Sequence, residues 1–202
     1  MNQQTKFVSD DPSIPQCLNL CRKSIVVVEK IFFEITNNLI NFLETKGGVS
    51  SSLLETEQSL THGFAWIGTY VESLKQLLAW AENLDIQGKL TVTEILILQI
   101  GFGEYLAQLK GGINMSQSEI IRLDQFNQDN KKIAPLNSKA INTLIESGNS
   151  DRARKKLADI LLNNIYLSTF CQSGLKSEYE AIRDLFHRFS TEKILPNAHN
   201  WH

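Results

Sequence analysis

The sequence predicts an all-α fold: a helical bundle of long antiparallel helices with a polar middle linker and a C-terminal helix. Three observations lead there. Apolar residues recur at intervals of three and four through most of the chain, the spacing that lines one face of a helix. Only 11 glycines and 4 prolines punctuate 202 residues, too few for a turn-rich β protein. Helix start and stop signals also stand where the periodic runs begin and end.

Residues 1–15 are polar and carry Pro12 and Pro15, which predicts a flexible N-terminus. They lack the apolar core of a secretory signal. From Cys17 to Glu44 the residues Leu20, Ile25, Val28, Ile31, Phe32, Ile35, Leu39, Phe42 and Leu43 fall at helical spacing. The stretch "TKGGVSSS" breaks this run, its glycines read as a C-cap and its serines as the next N-cap. Ser52-Leu-Leu-Glu55 reads as a capping box opening a long helix with Leu60, Phe64, Ile67, Val71, Leu74, Leu78 and Ala81 on one face. Gly88 is its stop. Thr91 to Glu94 reads as a second capping box, leading "ILILQIGFGEYLAQLK" into Gly111 and Gly112. Three helices closed by glycine make a bundle-like unit.

The middle differs. "GGINMSQSEIIRLDQFNQDNKKIAPLNS" is polar and irregular, with one short helix expected to begin at Ser116-Gln-Ser-Glu119 and a surface linker in "NQDNKKIAP". Helical patterning resumes near Asn137, pauses at "SGNSD" and continues through "RARKKLADILLNNIYLSTF". Gly174 interrupts it. The last helical segment enters at Ser177 and Glu178, and Pro196 should end or kink it, having no N–H to donate.

Composition narrows the function. A formal net charge of -2, from 20 basic and 22 acidic residues, gives no basic field for nucleic acid and no polybasic patch for a membrane surface. The apolar runs "SIVVVEKIFFEI" and "VTEILILQIGFG" stop well short of the ~20 residues that span a bilayer. Cys17, Cys21 and Cys171 read as free thiols of a reducing cytoplasm, since no companion pair completes a zinc site.

The candidate constellations for chemistry are few. Gly101-Phe102-Gly103 lacks the third glycine and the βαβ surroundings of a dinucleotide fingerprint, so close helix packing is the better reading. His62, Trp66, Tyr70 and Trp80 make an aromatic-rich helix face. Such faces are ordinarily core with polar tips satisfied at the edge, and a ligand pocket is the sharper alternative. His199 and His202 stand three apart, without a third ligand or a His-Glu-x-x-His frame. "DRARKKLAD" reads as a solvated basic face, with a phosphate or protein contact as the minority alternative. The carboxylate pairs Glu55/Glu57 and Glu178/Glu180 are two apart and diverge on a helix, so neither forms an acid–base dyad. No residue is assigned a catalytic, cofactor-binding or metal-ligating role.

Two stretches are more specific. His62-Gly-Phe-Ala-Trp66, Gln76-Leu-Leu-Ala-Trp80, Gly103-Glu-Tyr-Leu-Ala-Gln108 and Gly111-Gly-Ile-Asn-Met-Ser-Gln-Ser-Glu119 together resemble the N-terminal helical extension of the methylsuccinyl-CoA subgroup of acyl-CoA dehydrogenases. Asn114 stands where that subgroup usually has proline. Phe189, Ile194, Pro196, Ala198 and Trp201 are similar to the opening helix of the acyl-CoA dehydrogenase fold proper.

The resemblance implies an FAD-dependent oxidation of an acyl-CoA to the 2,3-enoyl-CoA. A glutamate base would act with the flavin, and an electron-transferring flavoprotein would be the acceptor. It also implies that the flavin-binding and catalytic segments lie beyond His202, leaving this chain without activity or cofactor of its own. The implied division is a flexible N-terminus (1–15), a helical bundle extension (16–126), a linker (127–136), further helices of the extension (137–184) and the start of a dehydrogenase N-terminal domain (185–202). The expected partner is the catalytic core of such an enzyme or a neighbouring subunit. The rival expectation is a stand-alone helical interaction module without enzymatic activity.

Overall fold

The computed structural model describes residues 12–45, 48–126, 130–164 and 171–201. The chain divides into two compact units, residues 1–171 and 172–202. The expected flexible N-terminus lies, up to residue 11, outside the described residues, as do 127–129 of the expected linker and His202.

The first unit is built on long helices, and the all-α expectation holds. α1 (Ile14–Leu43) opens with proline in its first turn, where the missing N–H costs nothing. It buries Cys17, Cys21, Ile25, Val28, Ile35 and Leu39 along one face. The glycine C-cap expected after it is not what ends it. Its C-cap is Glu44 in extended conformation, and the chain passes into a two-residue antiparallel pair, β1 (Glu44–Thr45) with β2 (Gly48–Val49).

The capping box expected at Ser52 is also displaced. Ser50 is the N-cap of α2 (Ser51–Thr56), its hydroxyl accepting from the Leu53 N–H at 3.3 Å. Ser52 lies inside the helix and spends its hydroxyl on Ser50. Helical bonds continue across Glu57 into α3 (Gln58–Ile86), so the long segment is kinked there rather than capped. α3 ends as expected: Gly88 takes φ +66°, its N–H reaches the Asp85 carbonyl, and the Lys89 N–H reaches that of Leu84. This pair of bonds satisfies carbonyls the helix leaves open.

α4 (Val92–Gly111) starts on the Thr91–Glu94 capping box, which forms as read. The Thr91 N–H donates to the Glu94 carboxylate at 2.9 Å. Gly112, at φ +121°, turns the chain into a small hairpin of β3 (Ile113–Asn114) and β4 (Ile120–Ile121). The short helix expected from Ser116 does not form. The same Ser-x-x-Glu spacing closes the hairpin loop, with the Met115 N–H on the Glu119 carbonyl and the Ser116 hydroxyl on the Glu119 carboxylate. Side-chain-to-backbone bonds of this kind serve a turn as readily as a helix start.

A 3₁₀ turn (Leu123–Phe126), the short α5 (Asn130–Ile133) and a second 3₁₀ turn (Ala134–Asn137) lead to α6 (Lys139–Gly148) and α7 (Asp151–Leu162). α6 packs against α4 and α1, and α3 packs against α1 and α4. The core between them is continuous, centred on Ile35, Leu74, Leu98, Phe102, Leu106 and Leu144.

The second unit holds α8 (Ser177–Phe189), a π turn (Ser190–Ile194) and α9 (Ala198–Trp201). Pro196 acts as expected. The turn before it widens, with the Leu195 N–H reaching back five residues to the Ser190 carbonyl, and the helix restarts at Ala198. None of the α8 side chains is buried.

Candidate functional site

The conspicuous assembly of the first unit is an aromatic seam between α3 and α4. His62, Trp66 and Tyr70 succeed one another at four-residue spacing and therefore form one line on α3. The Trp66 indole N–H donates to His62 Nε2 at 3.0 Å, which makes that nitrogen the acceptor and places the imidazole proton on Nδ1. Trp66 meets Tyr70 edge to face, ring centroids 6.1 Å apart. Tyr70 in turn stacks on Tyr105 of α4, centroids 4.2 Å apart and planes 16° from parallel. The Tyr70 hydroxyl donates to Gln108 Oε1 at 2.7 Å. Burial, with the nearby Tyr105 and Glu104, pushes the Tyr70 phenol above its ordinary range and keeps it a donor.

Glycines bring the surrounding elements close. Gly63, beside His62, accommodates the Ile121 side chain of the hairpin. At Gly103 a Cβ would stand 2.5 Å from the Asn149 backbone nitrogen, and one at Gly148 would stand closer still to the Gln99 carbonyl oxygen. The two glycines let α6 cross α4 at backbone contact, which is the packing role read for Gly103. Glu104, next along, receives the Arg154 guanidinium at 2.5 Å and ties α7 to α4.

Of the residues singled out in the sequence, His62, Trp66 and Tyr70 come together. Trp80 does not join them: ten residues on from Tyr70 it lies about 15 Å farther along α3 and packs against the core from partial burial. Tyr105, Gln108 and the Glu104–Arg154 pair belong to this region and were not singled out. The signal available for the first two was their three-residue spacing on α4. Arg154, one basic residue of "DRARKKLAD", is ion-paired with Glu104. His199 is exposed, and its expected companion His202 lies outside the described residues. Glu180 is held by Arg183 at 2.8 Å and by the Ser173 hydroxyl. Cys17 and Cys21 are both fully buried, and burial pushes the Cys21 thiol up, away from thiolate chemistry.

The Trp66 and Tyr70 donors are spent on His62 and Gln108, and one face each of Tyr70 and Tyr105 is covered by the other ring. Among the described residues no cluster of three or more His, Cys, Asp or Glu side chains could hold a metal ion. No described helix is long and apolar enough to cross a membrane. Beside His62 lies an open, polar-rimmed space of about 500 Å³ bordered by Gln58, Thr61 and Glu119.

No protein-family model matches this chain. It is similar to a (2S)-methylsuccinyl-CoA dehydrogenase of Cereibacter sphaeroides, with 42% identity over 195 residues. That alignment covers 96% of this chain and 35% of the relative, so the chain spans about a third of that relative's length. The resemblance read from the four motif blocks thus extends along nearly the whole sequence. Three of the four blocks build the seam, the Gly63 and Gly103 contacts and the hairpin.

Proposed function

We propose that this chain is the helical extension segment of a flavin-dependent acyl-CoA dehydrogenase of the methylsuccinyl-CoA type. Its work is to pack against the catalytic body of such an enzyme or against a neighbouring subunit, in the cytoplasm. The observation that carries this is the alignment: 42% identity over 96% of the chain, against 35% of a dehydrogenase. Under this reading the FAD, the base that takes the α-proton and the surface that meets an electron-transferring flavoprotein belong to the remaining two-thirds.

The test is reconstitution. The chain is purified alone and together with the remaining two-thirds of the Cereibacter sphaeroides enzyme, supplied as a separate polypeptide. Alone it should carry no flavin and reduce no acceptor with methylsuccinyl-CoA. Together the two should co-purify, and the chain should raise the thermal stability or turnover of its partner. Flavin reduction by the chain alone, or indifference of the two polypeptides to each other, would refute the reading.

One observation favours the rival, a stand-alone interaction module: the first unit holds a continuous core of its own. That reading expects the same indifference to the dehydrogenase remainder.

A further inference from the structure

The hydrogen bond between His62 and Trp66 exists in one protonation state only. The Trp66 indole N–H donates to His62 Nε2 at 3.0 Å, so that nitrogen carries its lone pair and the ring is neutral. In the imidazolium both ring nitrogens are donors. Proton uptake therefore sets two N–H groups against each other. The indole offers no compensation in this arrangement. It presents its N–H edge to His62, with ring centroids 6.3 Å apart and planes 68° from parallel. An aromatic edge is the positive side of the ring, and cations are drawn to the face. The charged ring has to leave.

The structure offers it one place to go. The open space of about 500 Å³ beside His62 is bordered by Gln58, Ser59, Thr61 and Glu119. Glu119 is the one charged side chain among these neighbours. Ile121 of β4 is seated on Gly63, the residue after His62. Glu119 stands two residues before Ile121, the interval that returns to the same side of a strand. Its carboxylate accepts from the Ser116 hydroxyl at 3.3 Å and forms no ion pair among the described residues. The other charged groups on the surrounding elements are placed elsewhere. Glu57 borders a separate groove with Asn38 and Phe42, Glu104 is paired with Arg154, and Lys110 and Arg122 border a third with Asp124.

We propose that His62 is a proton-operated latch between α3 and the β3–β4 hairpin. Neutral, it holds the indole of its own helix. Protonated, it releases Trp66, swings into the adjoining space and pairs with Glu119. The hairpin, seated on α3 through Ile121 and Gly63, then gains an ionic tie to the same turn of the helix. The change falls between about pH 5 and 8, where histidine exchanges its proton. The latch lies within the first unit and does not rest on the proposed function.

It is tested on the full chain by following the indole N–H signal of Trp66 in nitrogen–proton correlation NMR, identified by its loss in Trp66→Phe. Between about pH 8 and 5 that signal should shift in a single one-proton transition. The Trp80 signal, about 21 Å farther along α3, should stay in place. In His62→Gln, which keeps an acceptor but takes up no proton, the Trp66 transition should vanish. Glu119→Gln should move it to lower pH by about 0.2–0.7 of a unit, the scale of an exposed ion pair. Both positions are exposed, so the rest of each spectrum should overlay the wild type. A Trp66 signal indifferent to pH, or one that still titrates in His62→Gln, overturns the latch. A transition unmoved in Glu119→Gln overturns the hairpin as its second hold.

Discussion

Gly103 and Gly148 decide how closely α4 and α6 approach, and their substitution separates helix propensity from packing. Alanine is favoured over glycine in a helix by about 1 kcal/mol, so an open helical glycine gains from the change. Gly111 is such a site, with nothing within 4 Å of a built Cβ. Gly111→Ala should be neutral or raise the melting temperature slightly. Gly103→Ala should instead destabilise by about 1–3 kcal/mol, because the added methyl meets the backbone of Gly148 and Asn149, which cannot rotate away. Denaturant melts of the two variants check this, and equal effects would refute the backbone crossing. Half of this contact was legible in the sequence. Gly103 sits in a helical pattern, where a missing side chain invites a neighbour. Gly148 sits in "SGNSD", where glycine reads as a pause between helices. The partner of a close approach lies in three dimensions, and no local rule points to it.

At the scale of the element, the caps divide into those the sequence specifies and those that tertiary structure reassigns. Thr91–Glu94 forms because glutamate three residues on reaches back to a threonine already in extended conformation, φ -112° and ψ 179°. Thr91→Ala should therefore cost about 1 kcal/mol, read as a lower denaturation midpoint at unchanged slope. Ser116 to Glu119 carries the same letters and closes a hairpin instead, because Gly112 turns the chain and Ile121 is drawn onto Gly63. The serine cap after α1 moved from Ser52 to Ser50 for a similar reason, as the β1–β2 pair sets where the chain turns.

The link from α5 to α1 is ionic and titrates. The Lys132 ammonium holds the Glu34 carboxyl below its usual range. A carboxylate with a depressed folded-state pKa stabilises the fold above its unfolded value and loses that contribution as pH falls through the folded one. Lys132→Ala should thus lower the melting temperature slightly at pH 7, and the difference from wild type should vanish below the carboxylate range. A gap that persists at pH 3 would show that Lys132 acts through packing.

For the molecule as a whole, the fold class and the family resemblance were both legible, for different reasons. Helical periodicity is dense from Cys17 to Leu43 and from Leu60 to Leu109, and the four motif blocks lie in the segments that pack around α3 and α4. The seam was only half legible: His62, Trp66 and Tyr70 share a helix, whereas Tyr105 and Gln108 reach them across an interface. The division of the chain leads to the last prediction. Among the described residues every buried hydrophobic one, from Cys17 to Ala153, lies in the first unit. A polypeptide of residues 1–171 therefore contains a complete core and should unfold in one cooperative transition by circular dichroism and calorimetry. The 172–202 segment should behave differently. Its longest helix has 13 residues and buries none of them, at the length where isolated helices are marginal in water, about 12–15 residues. As a free peptide it should be largely unfolded. Its apolar residues Tyr179, Ile182, Phe186 and Phe189 recur along one face of α8, so its helicity should rise when the dehydrogenase remainder is added. A 1–171 chain that melts without cooperativity would mean the first unit's core is insufficient alone. A 172–202 peptide that is fully helical in buffer would mean its order owes nothing to a partner.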